Sequence, residues 1–318
     1  MGRRVKVLVT GALGFAGRHM LEELRQNGHE PLPLDTPAAV AAQPQPGLLA
    51  GDIMDAAGFR ALIALHRPDA CIHLGGLSFV PLSWDRPADY FQVNAQGVVH
   101  VLEALRLETP AARALVITSA EVYGRFASTY VVHEDSPLAP TNPYAVAKVA
   151  ADHLTRLYAR HYQLPYLVAR PQNHIGPGQS TNFVASSFAE QVARIALGRA
   201  APVIRVGDLN AERDFTDVRD VVRAYRLLIE KGQPGAAYNI AATRPVHVRA
   251  LLDLLCQIAG VQPRIEVEAA RVRPADHPPV LSNEKLRVEL GWQPQFTLEQ
   301  SLRDIYQHAL RAAQAADA

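Results

Sequence analysis

Short apolar runs alternate along the first half of the chain with longer segments whose apolar positions recur at the period of a helix. The run Val5–Val9 predicts a buried strand, and Phe15–Asn27, with Met20, Leu21 and Leu24 on one face, predicts a helix after it. Further strands are predicted at Glu30–Asp35, Ala70–Leu74, Ala114–Thr118 and Tyr166–Arg170. Apolar strands separated by helices are typical of a parallel sheet covered on both faces, so the sequence predicts a doubly wound α/β fold.

The pattern changes after Arg170. The following stretch, PQNHIGPGQSTNF, concentrates Pro, Gly, Asn and Gln as a long loop leaving a sheet does, and the rest mixes short helices with proline-rich connections. The segment AAVAAQPQPG, residues 38–47, has low complexity and is expected to form a surface loop. We predict a larger domain of residues 1–170 plus about 214–242, and a smaller C-terminal α/β lobe of about 171–213 plus 243–318.

Three glycines, Gly11, Gly14 and Gly17, stand three residues apart where the first strand ends and the first helix begins. This arrangement brings backbone N–H groups and the positive end of the helix dipole against a pyrophosphate, with no Cβ in the way. Asp35 closes the second strand about 20 residues downstream, where a carboxylate accepts a hydrogen bond from a ribose 2′-hydroxyl and repels a 2′-phosphate. The unit predicts a Rossmann dinucleotide site that favours NAD(H) over NADP(H). A plain turn role for Asp35 stays open.

Composition narrows the functional classes. Lys plus Arg number 32 and Asp plus Glu 31, so the formal charge of +1 predicts no surface for nucleic acid or an anionic membrane. Cys71 and Cys256 are far apart without ligand spacing, and neither a metal site nor a disulfide framework is expected. No apolar run reaches membrane-spanning length, and the start MGRR lacks the pattern of a signal peptide. A cytoplasmic protein is expected.

Three polar residues carry the candidate chemistry. Tyr144 and Lys148 are four apart in NPYAVAK and share one face of a predicted helix, where an ammonium group favours the phenolate and lowers the tyrosine pKa. A phenol tuned in this way exchanges protons near neutrality. Ser119 follows the strand ALVIT and is placed to hold a substrate oxygen beside the phenol. No Gly-x-Ser-x-Gly motif surrounds Ser119, which argues against a hydrolase.

These motifs resemble, over nearly the whole chain, the extended short-chain dehydrogenase/reductase family, whose members act on nucleotide sugars. The segments GDIMD, IHLGG, VNAQGVVHVLEA, TSAEVYG and ERDFTDVRDVV match the family in order. The resemblance implies that Tyr144 gives a proton to a carbonyl oxygen as hydride arrives from the nicotinamide, or removes one in reverse. It implies that Lys148 binds the nicotinamide ribose and that Ser119 bonds the reacting oxygen. The implied cofactor-binding residues are Gly11, Leu13, Gly14, Phe15, Ala16, Gly17, Asp35, Asp52, Ile53, Leu74, Gly75, Gly76, Asn94, Tyr144 and Lys148.

The segment RPQNHIGPGQ resembles the corresponding part of GDP-4-keto-6-deoxy-D-mannose reductases. This implies NAD(P)H-dependent reduction of a GDP-linked 4-keto-6-deoxyhexose, giving GDP-D-rhamnose. The implied substrate-binding residues are Ser78, Asn173, Arg213 and Arg273, the arginines suiting a diphosphate. The helices within Asn94–Leu107 and Tyr144–Tyr162 resemble those that pair in the family across a two-fold axis, which implies a homodimer.

Glu121 keeps a second reaction open. It occupies the place where nucleotide-sugar 4,6-dehydratases carry a catalytic glutamate, although Ala120 stands where the dTDP-glucose enzymes have an aspartate. The alternatives are a 4,6-dehydratase or C4 epimerase with tightly bound NAD⁺, a reductase of a dTDP- or CDP-linked 4-keto sugar, and a non-catalytic dinucleotide-binding regulator. Gln172 replaces the usual aromatic residue and Gly75–Leu77 replaces Ala-Ala-Gln, which leaves the exact sugar undetermined.

Overall fold

The structure is a computed structural model that describes residues 4–125, 130–268 and 280–315. The strands are β1 (Lys6–Thr10), β2 (Glu30–Asp35), β3 (Leu49–Ala50), β4 (Ala70–His73), β5 (Arg113–Ile117), β6 (Val131–Val132), β7 (Tyr166–Pro171), β8 (His174–Ile175), β9 (Val203–Val206), β10 (Glu212–Asp214), β11 (Thr216–Asp217), β12 (Ala237–Ile240), β13 (Pro245–His247), β14 (Arg264–Val267) and β15 (Val280–Leu281). The helices are α1 (Phe15–Gln26), α2 (Pro37–Ala42), α3 (Ala56–His66), α4 (Leu82–Asp85), α5 (Pro87–Phe91), α6 (Gly97–Glu108), α7 (Pro143–His161), α8 (Val184–Ala196), α9 (Val218–Lys231), α10 (Val248–Ala259), α11 (Glu284–Leu290) and α12 (Leu298–Ala315).

Seven parallel strands form the central sheet, in the order β12-β7-β5-β4-β1-β2-β3. From β1 the chain first adds strands on one side, β2 and β3, and then returns to add β4, β5, β7 and β12 on the other. In sheets of this kind ligands bind at the carboxyl ends of the strands where the order reverses, here between β1 and β4. The predicted doubly wound Rossmann fold is confirmed.

Helices cover both faces of this sheet. On one face, α1 and α9 pack against each other and bury Met20 and Leu24 with Val221 and Leu228. On the other, α3, α6 and α7 bury a second set that includes Phe59. Each fully buried side chain of this size stabilises the fold by about 1.5–3 kcal/mol. These two cores hold the central sheet from both faces, and so fix the carboxyl ends of its strands, where Thr10, Asp35 and Ser119 lie.

A smaller lobe packs α8, α10 and α12 together with the two-stranded sheet of β9 and β14. Its core buries Phe188, Leu251 and Leu255. Leu286 and Trp292, which the predicted boundaries assign to this lobe, belong to the core on the face of α1 and α9. The strand β12 lies in the main sheet beside β7.

One local feature differs from the expectations. The segment expected to be a surface loop begins as the helix α2, because the Thr36 side chain accepts a hydrogen bond from Ala39 N (3.3 Å) and Pro37 occupies the first helical position.

The strand β2 forms as predicted, although it contains Pro31 and Pro33. Its outer neighbour β3 pairs only with Leu34 and Asp35, so the proline nitrogens meet no strand that needs a donor there.

Candidate active site

The glycine loop between β1 and α1 is packed too tightly for side chains. Gly11 has φ +67°, and a Cβ built on it would lie 3.0 Å from the backbone nitrogen of Gly75, two residues after β4. A Cβ on Gly17 would lie 2.2 Å from the carbonyl oxygen of Gly11. The internal packing of the loop therefore requires glycine at these positions, and the loop lines the cavity described below.

Asp35 braces the glycine loop. Its Oδ2 accepts a hydrogen bond from Leu13 N (2.8 Å), and its Oδ1 accepts one from Thr36 N (2.8 Å). The carboxylate also lies in the wall of the cavity described below. Asp35 therefore supports the loop from the end of β2, at the position where its contact with a ribose was predicted.

A buried pair behind the loop was missed by sequence reasoning. Thr10 Oγ1 accepts a hydrogen bond from Gly75 N (3.1 Å) and lies 2.7 Å from His73 Nδ1. Burial, with a smaller contribution from the charge of Lys148, lowers the pKa of His73 to about 3, so the imidazole is neutral. The available signal was that Thr10 and His73 are polar residues ending two adjacent strands of the predicted sheet.

The helix α7 presents the candidate catalytic pair. Asn142 caps it, since Asn142 Oδ1 accepts a hydrogen bond from Ala145 N (2.8 Å), and the helix brings Tyr144 and Lys148 to one face. The ammonium of Lys148 donates to Ile117 O (3.0 Å) and lies 5.8 Å from the centre of the Tyr144 ring. Both side chains are less than a tenth exposed. Tyr144 and Lys148 therefore share one face of a helix, as the sequence predicted, and that face is buried.

That burial reverses one expectation about acidity. Burial raises the pKa of Tyr144, the nearby Glu121 and Tyr90 add to the rise, and a hydrogen bond with Ser119 opposes it. Burial lowers the pKa of Lys148 to about 8. The sequence predicted that Lys148 would lower the pKa of Tyr144, whereas in the structure the loss of solvation raises this pKa and the hydrogen bond that opposes the rise comes from Ser119. Tyr144 is therefore held in its protonated form.

Glu121 and Asn94 form hydrogen bonds with groups near Tyr144 and Lys148. Glu121 Oε2 accepts a hydrogen bond from Asn142 Nδ2 (3.0 Å), and Glu121 N donates to Ser119 Oγ (3.2 Å). Asn94, in a π-helical turn, bonds the main chain of Leu77 twice at 2.9 Å. Asn94 was expected to bind cofactor, and in the structure it supports the loop that carries Gly75 and Gly76, outside the cavity wall.

One cavity of about 1930 Å³ joins these parts and continues into the smaller lobe. On the lobe side, Asn173 O accepts a hydrogen bond from Thr216 N (2.9 Å), and Arg213 Nη1 donates to Glu212 O (2.7 Å). Arg273 lies outside the described residues. The predicted site residues that line the cavity are Gly11, Leu13, Gly14, Phe15, Ala16, Gly17, Asp35, Asp52, Ile53, Leu74, Gly75, Gly76, Ser78, Ser119, Glu121, Tyr144, Lys148, Asn173 and Arg213.

The described ranges contain no group of three or more His, Cys, Asp or Glu side chains placed to hold a metal ion. Within them, too, every helix is too short or too polar to cross a bilayer.

The fold and the site define a class. A Rossmann sheet with a Gly-x-x-Gly-x-x-Gly turn, and a Ser, Tyr and Lys set on the same cavity, is the arrangement of short-chain dehydrogenases/reductases. The family model described as GDP-mannose 4,6 dehydratase matches residues 8–305, and the chain belongs to that family. The family resemblance drawn from the sequence is confirmed.

Individual relatives agree with this assignment. GDP-6-deoxy-D-mannose reductase of Pseudomonas aeruginosa is 37% identical over 302 residues, covering 94% of this chain and 95% of the relative. The structure of RMD from Pseudomonas aeruginosa complexed with NADPH matches with a TM-score of 0.84 and 35% identity, over 97% of this chain and 99% of that one. The UDP-glucose 4-epimerase of Thermus thermophilus, complexed with NAD, matches with a TM-score of 0.85 and 28% identity, over 96% of this chain and 98% of that one.

Proposed function

We propose that this chain reduces the 4-keto group of GDP-4-keto-6-deoxy-D-mannose with NAD(P)H, giving GDP-D-rhamnose. The observation that carries the proposal is the single cavity, which runs from the glycine loop past Tyr144 to Asn173 and Arg213. The resemblance to the Pseudomonas GDP-6-deoxy-D-mannose reductase supports the choice of sugar and nucleotide. An NAD(P)-dependent oxidoreductase of nucleotide sugars also agrees with the family of the chain.

Tyr144, Ser119 and Lys148 have different roles in the proposed reduction. The nicotinamide, when bound, supplies the hydride that reaches the carbonyl carbon at C4. Tyr144 gives its phenolic proton to the carbonyl oxygen, which thereby becomes the product hydroxyl. Its raised pKa keeps that proton available before the reaction. Ser119 holds the same oxygen, and the Lys148 ammonium, fixed by Ile117 O, neutralises the charge left on the phenol.

The cofactor would lie across the glycine loop, since Gly11, Gly14 and Gly17 line the cavity where α1 begins and a helix N-terminus suits a pyrophosphate. We infer a preference for NADH, because the Asp35 carboxylate repels a 2′-phosphate. NADPH is the alternative, and the relative complexed with NADPH favours it. Steady-state kinetics with each cofactor decide between them through the ratio of their kcat/KM values.

A dehydratase is the second candidate. The name of the family and the presence of Glu121 beside Ser119 favour it. Such an enzyme, like a C4 epimerase, retains NAD⁺ and needs no added reductant. Incubating the protein with GDP-mannose alone tests this, and formation of a 4-keto sugar would replace our proposal. The same keto sugar linked to dTDP or CDP tests the remaining reductase alternatives.

The chief experiment mixes the protein with GDP-4-keto-6-deoxy-D-mannose and NADH or NADPH. We expect loss of the absorbance of the reduced nicotinamide only when the keto sugar is present. The matched control is the Tyr144→Phe variant, which should show almost no loss. Equal loss without the sugar, or none with it, would contradict the proposal.

We also propose that the chain forms a homodimer through α6 and α7, and that it works in the cytoplasm. Val146 and Leu157 lie about three turns apart on α7 with their side chains exposed, and Leu107 is exposed near the end of α6. Exposed apolar side chains on two neighbouring helices suit contact with a second copy. Light scattering should give a dimer for the protein and a monomer for Leu157→Glu. A monomeric wild-type protein at micromolar concentration would refute the dimer.

A further inference from the structure

The Glu121 carboxylate is bonded to a residue outside the candidate catalytic set. Its Oε2 accepts a hydrogen bond from Asn142 Nδ2 (3.0 Å), and Asn142 Oδ1 accepts one from Ala145 N (2.8 Å). On its other side, Glu121 N donates to Ser119 Oγ (3.2 Å). Glu121 therefore contacts Ser119 through its backbone N–H and the first turn of α7, which carries Tyr144, through its carboxylate.

The two hydrogen bonds of Asn142, one to Glu121 and one from Ala145 N, fix the orientation of its amide. An asparagine amide has one acceptor end and one donor end, and the start of α7 needs the acceptor. Glu121, which as a carboxylate only accepts, takes the donor end and so opposes the flipped amide. Glu121 thus selects the capping orientation of a residue two positions before Tyr144.

We propose that Glu121 is a positioning residue, which holds Asn142 as the cap of α7 and so fixes Tyr144 against Ser119, and that it exchanges no proton with the substrate. The inference rests on the proposed reductase function and differs from the catalytic role that the dehydratase alternative gives to Glu121. The hydrogen bond that it requires is one that a glutamine also accepts.

The electrostatics of the site agree with this role. The groups that face Tyr144 are Ser119, Glu121, Tyr90, Lys148 and Tyr225. Burial is the largest cause of the raised pKa of Tyr144, and the negative charge of Glu121 raises it further. A reductase needs its phenol protonated before each turnover, and a neighbouring carboxylate helps to keep it so.

Four variants test the proposal: Glu121→Gln, Glu121→Ala, Asn142→Asp, and the double variant Glu121→Gln/Asn142→Asp. Keto-sugar reduction gives kcat and KM, and thermal unfolding gives Tm for each. We expect Glu121→Gln to keep kcat within about tenfold of wild type, because its amide oxygen accepts the Asn142 bond. Glu121→Ala should lower kcat further, with the KM for the cofactor unchanged.

The exchange of groups is the sharpest arm of the test. Asn142→Asp alone sets two carboxylates about 3 Å apart and should lower both kcat and Tm. The double variant restores a donor and an acceptor in the reverse order, since the amide introduced at position 121 can donate to the carboxylate introduced at position 142. It should therefore recover both quantities. Such recovery measures the coupling directly.

Two results would overturn the proposal. A loss of about 10²–10⁴ in kcat for Glu121→Gln, equal to that of Glu121→Ala and not relieved in the double variant, would mean that Glu121 transfers a proton. A Tm of the double variant no higher than that of Asn142→Asp would refute the pairing itself. Wild-type protein inactive on every keto sugar would instead count against the proposed function, and the Tm comparison would still test the pairing.

Discussion

Arg170 and Asp152 form a fully buried ion pair between the last residues of β7 and the helix that carries Tyr144. Arg170 Nε and Nη2 donate to the two carboxylate oxygens of Asp152 at 2.7 and 2.9 Å, and neither side chain is exposed. Arg170 Nη1 also donates to the Tyr123 hydroxyl (2.7 Å). The pair ties the catalytic helix to the strand that leads into the segment of Asn173.

Breaking this pair should destabilise the protein strongly. Asp152→Asn leaves the guanidinium of Arg170 buried without its counter-charge, and we expect a loss of about 3–5 kcal/mol in the free energy of unfolding. Urea denaturation measures the loss. The control is Asp253→Asn, which removes an exposed partner of Arg249 and should change stability by less than about 1 kcal/mol. Equal effects of the two substitutions would contradict the structural role.

Tyr144→Phe should remove the proton donor and leave the fold intact. We expect kcat to fall by about 10²–10⁴ while the Kd of the cofactor, measured by fluorescence titration, stays near that of wild type. Near-normal turnover would show that another group donates the proton.

Activity should decline on the basic side as Lys148 loses its charge. Burial lowers the pKa of Lys148 to about 8, and the protonated form is the active one, so kcat/KM should fall as pH rises through about 8. Lys148→Arg, which stays charged, should move this fall to higher pH even if kcat is reduced. A basic limb that is the same in both proteins would assign it to a different group.

Gly17→Ala should abolish cofactor binding. The new Cβ would lie 2.2 Å from the Gly11 carbonyl oxygen, which as backbone cannot move without displacing the loop. The control is Gly58→Ala, whose Cβ would instead meet the movable carboxylate of Asp55. Isothermal titration with NADH and NADPH should show no binding for the first variant and near-normal binding for the second. Retained binding by Gly17→Ala would mean that the loop does not hold the pyrophosphate.

Asp35→Asn should shift cofactor choice toward NADPH. Removing the charge relieves its repulsion of a 2′-phosphate, and the ratio of kcat/KM for NADPH to that for NADH should rise by at least about tenfold. Asp55 caps α3 away from the cavity, so Asp55→Asn should leave the ratio of the two kcat/KM values unchanged. An unaltered ratio in Asp35→Asn would restrict Asp35 to bracing Leu13.

Five of the seven strands of the central sheet, β1, β2, β4, β5 and β7, were predictable because each is a short and largely apolar run, which is typical of parallel strands buried on both faces. The strands β3 and β12 were not predicted. The glycine loop and the pair Tyr144 and Lys148 were predictable because their chemistry depends on spacing along one element. Spacing within an element survives folding unchanged, so these residues could be named from the sequence.

Contacts between distant segments could not be predicted. The Glu121 and Asn142 bond joins residues 21 positions apart, and that between Thr10 and His73 joins residues 63 apart. The degree of burial was equally invisible, which is why the acidity of Tyr144 was expected to move in the wrong direction. The helix α2 was not predicted because its segment, rich in Ala, Pro and Gln, has the composition of a loop, although Thr36 before it is a capping residue.

The most direct test of the account follows the hydride itself. Wild-type protein is incubated with GDP-4-keto-6-deoxy-D-mannose and a reduced nicotinamide cofactor deuterated at C4, and the product is examined by NMR. We predict GDP-D-rhamnose carrying deuterium at C4 of the sugar. A product without deuterium at that carbon, or unchanged keto sugar, would contradict the proposed function.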